Sequence, residues 1–162
     1  MKIVTVAAFC AVLVLPAIVF PIGAGAAPAQ ESGASFKDVA GREWFLSEVK
    51  SSGKTVTIDR QKLLIDNMSG SFTVIFNENQ VNGMGAPNRF FAPFTNGNNN
   101  SLTIGNMAST MMLAFKEPDG INEKQYFDYL SKVTRWLLRN DKLELYSKDS
   151  GGSEVVLSFT LS

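Results

Sequence analysis

Two serine–lysine pairs stand three residues apart in this chain, Ser47 with Lys50 and Ser51 with Lys54. Such spacing lets a lysine amine serve as base for a serine nucleophile. In the penicillin-recognising enzymes it works only alongside S-D-N and K-T-G motifs. Neither companion occurs here, and both pairs straddle the end of a strand and a polar turn, so they read as solvated turn residues. Paired carboxylates would hydrolyse glycosides if held a few ångströms apart. Glu43, Glu48, Glu78, Glu117 and Asp119 are candidates, yet nothing in the sequence pairs them. Asp59, Asp66, Glu117, Asp119 and Glu123 are too dispersed for a calcium loop. The chain has no histidine, which removes Ser-His-Asp and Cys-His catalysis and any imidazole metal ligand. Its one cysteine, Cys10, lies in an apolar leader. The glycines of "GMG", Gly83 to Gly85, lack a Walker lysine and lead into an extended aromatic run, so they are no phosphate loop. The residues therefore point to no catalytic residue, no metal and no cofactor.

The elements that would position any site follow from pattern. "REWFLSEV" reads as a first strand, "SSGK" as a turn and "TVTID" as a short strand. Residues 60–70 fit a short helix or a strand and loop. "SFTVIF" sets Phe72, Val74 and Phe76 on one face. "VNGMG" pairs back, and "RFFAPF" is extended, with Pro93 arguing for an edge or irregular strand. "TNGNNN" is a loop and "SLTI" a strand. "NMASTMMLAF" reads as a short helix or helical turn, with Met107, Met111 and Met112 as core filler first and an adaptable binding surface second. Asn122 and Gln125 have capping-box spacing before "EKQYFDYLSKV". That helix turns Tyr126, Phe127, Leu130 and Val133 inward and Glu123, Lys124, Asp128 and Lys132 outward. Three closing strands turn at Asn140-Asp141 and at "KDSGGS". The fold expected is α+β: a curled antiparallel sheet, small and barrel-like, with one main helix packed against it.

Lys2, an apolar core to Phe20 and small residues thereafter match a secretory signal peptide over residues 1–29, cleaved after Ala26 or Ala29. An uncleaved membrane anchor is the rival reading, against which Pro16 and Pro21 interrupt the apolar run. Residues 30–37 read as a flexible tether and 38–162 as one domain. Export gives a periplasmic or secreted location without a transmembrane span after processing. The mature chain then has no cysteine, so burial must hold it together. Fifteen Lys and Arg balance fifteen Asp and Glu with no basic run. Nucleic acid is therefore not an expected partner, and a monomer is expected.

Phe90, Phe91 and Phe94 either fill a barrel interior or, with Met111, form a surface for a ligand or partner. Gly83 and Gly85 let the backbone turn sharply, with Pro87 and Pro93 stiffening it. Asn88 can bond nearby backbone.

The order of motifs adds to this. "WFL" (Trp44 to Leu46), "VNGMGAPNRFFAPF", "LTIGNMASTMMLAF", "YFDYLSKVTRWLL", "KLELYS" and "VVLSF" together resemble the META/HslJ-like domain family across about residues 38–160. Asn88, Arg89 and Thr110 fit the family pattern. Many bacterial members carry a cysteine in each of the two central motifs; the matching positions here are Pro87 and Ala114. The resemblance implies an exported, non-enzymatic β-rich domain linked with envelope stress. It acts by binding an envelope protein or, as in pilotin-like folds, an apolar ligand held at the barrel mouth. A hydrolase with an unrecognised Ser/Lys or carboxylate site is the remaining alternative. Asn88 and Thr110 are expected to be buried or half-buried polar braces.

Overall fold

The computed structural model describes residues 34–162. The leader expected at residues 1–29 lies outside them. Ordered structure begins before the expected end of the tether. Ser35 caps a single 3-10 turn, Phe36–Asp38, and the Phe36 ring packs on Phe76, Phe94 and Trp136 at 5.1–5.6 Å between centroids.

The described residues form ten strands and two α-helices. The strands are β1 (Glu43–Ser51), β2 (Lys54–Thr57), β3 (Thr73–Asn77), β4 (Gln80–Met84), β5 (Arg89–Asn96), β6 (Leu102–Ile104), β7 (Ala108–Ser109), β8 (Arg135–Arg139), β9 (Lys142–Lys148) and β10 (Glu154–Thr160). Helix α1 is Arg60–Ile65 and α2 is Glu123–Ser131. The order β6-β5-β4-β3-β1-β10-β9-β8 is antiparallel throughout and curls until its ends nearly meet. The expected α+β architecture is what the chain adopts: an almost closed barrel with one unsealed seam and one main helix.

The curl has local causes. β1 is long enough to serve two partners on one edge. Glu43 to Phe45 pair with β3, and Glu48 to Ser51 pair with β2. On its other edge a bulge between Leu46 and Glu48 bends the ladder to β10, and bulges increase local twist. Asn140 and Asp141 both take positive φ (48° and 59°), the geometry that matches a tight hairpin to the strand twist. Alternation then fills the inside: Trp44 and Leu46, Phe72, Val74 and Phe76, Leu143 and Leu145, Val155, Leu157 and Phe159 are all buried. Each large side chain of this set contributes roughly 1.5–3 kcal/mol by leaving water.

Two expectations are resolved. Of the edge or irregular strand offered for Pro93, the structure has the irregular one, because β5 lies between β4 and β6. Its pairing changes hands there: β4 partners end at Pro93 and β6 partners begin at Phe94, so the missing N–H costs little. The segment Asn106–Phe115 is not helical. Ala108 and Ser109 pair with Phe91 and Phe90 as β7, and the residues after them are irregular. Pairing to the bare edge of β5 outweighs the weak helix preference of an apolar run.

Helix α2 begins as the sequence indicates. Asn122 Oδ1 accepts from Gln125 N (2.9 Å) and Gln125 Oε1 accepts from Asn122 N (3.2 Å). Tyr126 is fully buried, and its hydroxyl donates to the Thr73 carbonyl at 3.0 Å. Burial pushes its pKa well above the ordinary 10.0. The folded state therefore holds this proton more tightly than the unfolded one. Stability from it is intact below pH 10 and is lost as pH rises beyond. Melting temperatures are expected to fall steeply above pH 10, and Tyr126→Phe should flatten that fall while costing about 1 kcal/mol at neutral pH. An equally steep alkaline loss in the variant would assign the effect elsewhere.

Candidate functional site

The turn joining β4 to β5 is four residues, 85–88, closed by Gly85 N donating to Asn88 O at 2.6 Å across Ala86 and Pro87. The Ala86–Pro87 peptide is cis. Helix α2 is anchored onto this turn by its first residue. Glu123 Oε2 accepts from Ala86 N (2.7 Å) and Asn88 N (2.6 Å), and Oε1 accepts from Asn88 Nδ2 (2.7 Å). A carboxylate also suits the first turn of a helix, where the backbone dipole is positive. Gly85 makes room for it: a Cβ there would lie 2.6 Å from Glu123 Oε2 and 2.7 Å from the Phe127 ring.

Asn88 continues the chain of contacts. It is buried, at 6% exposure. Its Oδ1 accepts from Thr110 Oγ1 (2.8 Å) and Met112 N (2.6 Å), while Nδ2 also donates to Met112 O (3.1 Å). Arg89 N donates in turn to Thr110 Oγ1 at 3.2 Å. One buried amide thus takes both polar groups of a backbone residue, as a neighbouring strand would. Asn88 is the buried brace expected from sequence. Thr110 is hydrogen-bonded but exposed, not buried or half-buried, because it lies just past the outer strand β7.

The segment held this way is apolar and faces outward. Met111 (96%), Leu113 (90%) and Phe115 (108%) stand almost bare, and Met112 is also exposed. We term residues 111–115 the strap. Its far end is tied by Lys116 to Asp66 (2.7 Å) and by Asp119 to Lys62. Between the strap and the α1–β3 connection lies an open groove of about 370 Å³, walled by Met68, Met84, Pro87, Met112 and Ala114 among others. Leu64 and Ile65, at the end of α1, add further exposed apolar surface.

Met111 and Met112 are therefore not core filler; only Met107 packs partly against the core. Clamping the Met112 backbone to Asn88 fixes the strap outside the barrel. The four residues proposed from sequence as one ligand surface are dispersed. Phe90 is buried against Tyr126 and Phe127, and Phe94 is half-buried against Phe36 and Phe76. Phe91 is exposed on the outer face of β5, and Met111 lies on the strap. Gly83 sits where a Cβ would fall 1.9 Å from the Thr73 carbonyl. Arg89 is exposed at the start of β5.

Nor are the residues suited to Ser/Lys chemistry assembled. Ser47 donates to the Ser158 carbonyl, Lys50 pairs with Glu48, and Ser51 and Lys54 flank a surface turn. The residue sequence reasoning missed is Glu123, assigned there to the outward face. Its signal was present: an acid at the first position of a capped helix, in a chain where Gly85 keeps a turn free of a side chain.

A family described as META domain matches residues 37–159. The fold is similar to that of a protein from Burkholderia xenovorans solved by NMR, at TM-score 0.60 and 19% identity, covering 88% of this chain and 97% of that one. It is also similar to a crystal structure of a DUF4847 family protein from Bacteroides vulgatus, at TM-score 0.50 and 10% identity, covering 77% and 95%. No curated protein matches the chain.

Asn88→Ala and Glu123→Ala should each destabilise the domain by about 2–3 kcal/mol, since each strands donors or acceptors of the other. The double variant should lose about 1–2 kcal/mol less than the sum of the two. Urea denaturation of the four proteins tests this; strict additivity would mean that the two side chains do not act together.

Proposed function

Because the chain belongs to the META domain family, we propose that it is an exported, non-enzymatic domain of the cell envelope that acts by binding. We place its docking surface on the strap and the groove beside it. One observation carries the reading: the fold devotes a buried asparagine and a helix-anchoring carboxylate to holding bare apolar side chains on the outside. Core stability alone would favour turning Met111, Leu113 and Phe115 inward. Exposed apolar patches of this kind mark interaction sites.

Export rests on the leader pattern of residues 1–29, and a role in envelope maintenance or stress response rests on the resemblance of motifs. A carrier reading survives only in altered form. The barrel interior is filled by Trp44, Phe72, Phe76, Tyr126 and Phe159, so an apolar ligand would lie in the external groove against Met68, Met84 and Met112.

Native mass spectrometry of the protein recovered from its own host envelope tests the reading. The wild type should carry a non-covalent lipid, peptide or protein, and a Leu113→Ser/Phe115→Ser variant with an unchanged melting temperature should lose it. A lipid adduct favours the carrier form and a protein adduct the adaptor form. A bare wild type, or a variant that retains its adduct, would reject the strap as the docking surface.

A further inference from the structure

We propose that the outer edge of the strap pairs, strand to strand, with the same edge of a second copy of this chain. The inference rests on the strap being a docking surface and names its partner.

Hydrogen-bond parity locates the edge. Thr110 N donates to Arg89 O at 3.0 Å, and Met112 exchanges bonds with the Asn88 side chain through both N and O. These alternate residues face β5, continuing the register in which Ser109 lies opposite Phe90. In an antiparallel ladder the intervening residues direct their peptide groups the other way. Residues 110–114 are not part of a regular strand, but the inward bonds of Thr110 and Met112 carry the same alternation past β7. This directs the peptide groups of Met111, and by extension of Leu113, outward; among the described residues nothing pairs with them. A row of unpaired backbone groups is a template for another strand.

Side chains favour a copy of the same chain. From Phe90 to Phe115 there is no Asp, Glu, Lys or Arg, so the usual protections of an edge, a charge above all, are missing. Antiparallel two-fold pairing near Leu113 would set uncharged residues against uncharged ones, without like-charge repulsion. It would cover Met111, Leu113 and Phe115 of each copy with those of the other. An acidic lipid surface fits less well, because Lys62 and Lys116 are already paired with Asp119 and Asp66, and the exposed Arg89 beside Thr110 falls short of the cluster of cations that such a surface attracts.

The test combines sedimentation velocity with amide hydrogen exchange on the full protein from micromolar to near-millimolar concentration. The wild type should dimerise as concentration rises. Met111 and Leu113 amides should gain protection in step, and Thr110 and Met112 should be protected throughout. Leu113→Lys should weaken the dimer at least about a hundredfold, as expected when two covered leucines become facing charges. Met111→Lys repeats the test should the first variant misfold. Four results would overturn the proposal: a wild type monomeric at every concentration, a dimer indifferent to Leu113→Lys and Met111→Lys, rapid exchange of Met111 and Leu113 within the dimer, or protection of those amides in a monomer by lipid vesicles alone. If the protein is monomeric yet loses an envelope adduct on strap substitution, the docking surface stands and only its occupant is wrong. If neither assembly nor adduct responds to the strap, both readings fall together.

Discussion

A single carboxylate sets the arrangement of this domain. Glu123 gathers three N–H groups from a turn 35–37 residues upstream, joining α2 to the β4–β5 connection. Those donors could not otherwise be satisfied by strand pairing, since Ala86 and Asn88 lie where the hairpin reverses. Leaving buried donors without partners costs about 1–3 kcal/mol each, so helix and turn are mutually dependent. Asn88 then transmits the constraint to the strap, with its amide facing Glu123 on one side and Met112 on the other. Helix, turn and strap form one polar unit on a barrel that is otherwise packed hydrocarbon.

This unit occupies the place where family resemblance puts a pair of cysteines. Pro87 and Ala114, the positions that match them, both wall the groove beside the strap. The described chain contains no cysteine. What joins the two motifs here is the Asn88 amide and its neighbours, a set of reversible contacts. The rest of the stability comes from the apolar interior, in which aromatic edges meet faces: Phe36, Phe76 and Phe94 at one end, Phe72, Phe90, Tyr126 and Phe127 at the other. Such contacts add to simple burial.

Much of the fold was legible because its signals are local. Alternation identified the strands around Phe72–Phe76 and Leu143–Phe159, and the Asn122–Gln125 box fixed the start of α2 to the residue. The site was less legible because it depends on distant partners. Glu123 sits on the polar side of a helical wheel, and only tertiary contact reveals that this side meets a turn. The methionine segment failed for the same reason. Its composition suits a core, yet hydrogen bonds to Arg89 and Asn88 hold it outside. The asparagine-rich loop was legible as a loop but not as a latch. Asn96 accepts from the Trp136 indole at 2.9 Å, and Asn100 O accepts from Trp136 N at 2.9 Å, bridging β6 toward β8.

That latch gives the molecule an internal reporter. The chain has two tryptophans. Trp44 is locked within β1 with its indole bonded to Val39 O, whereas Trp136 lies against the seam. Local parting of β6 from β8 would wet one indole and leave the other dry. Intrinsic fluorescence can thus separate breathing of the barrel wall from global melting without any added label.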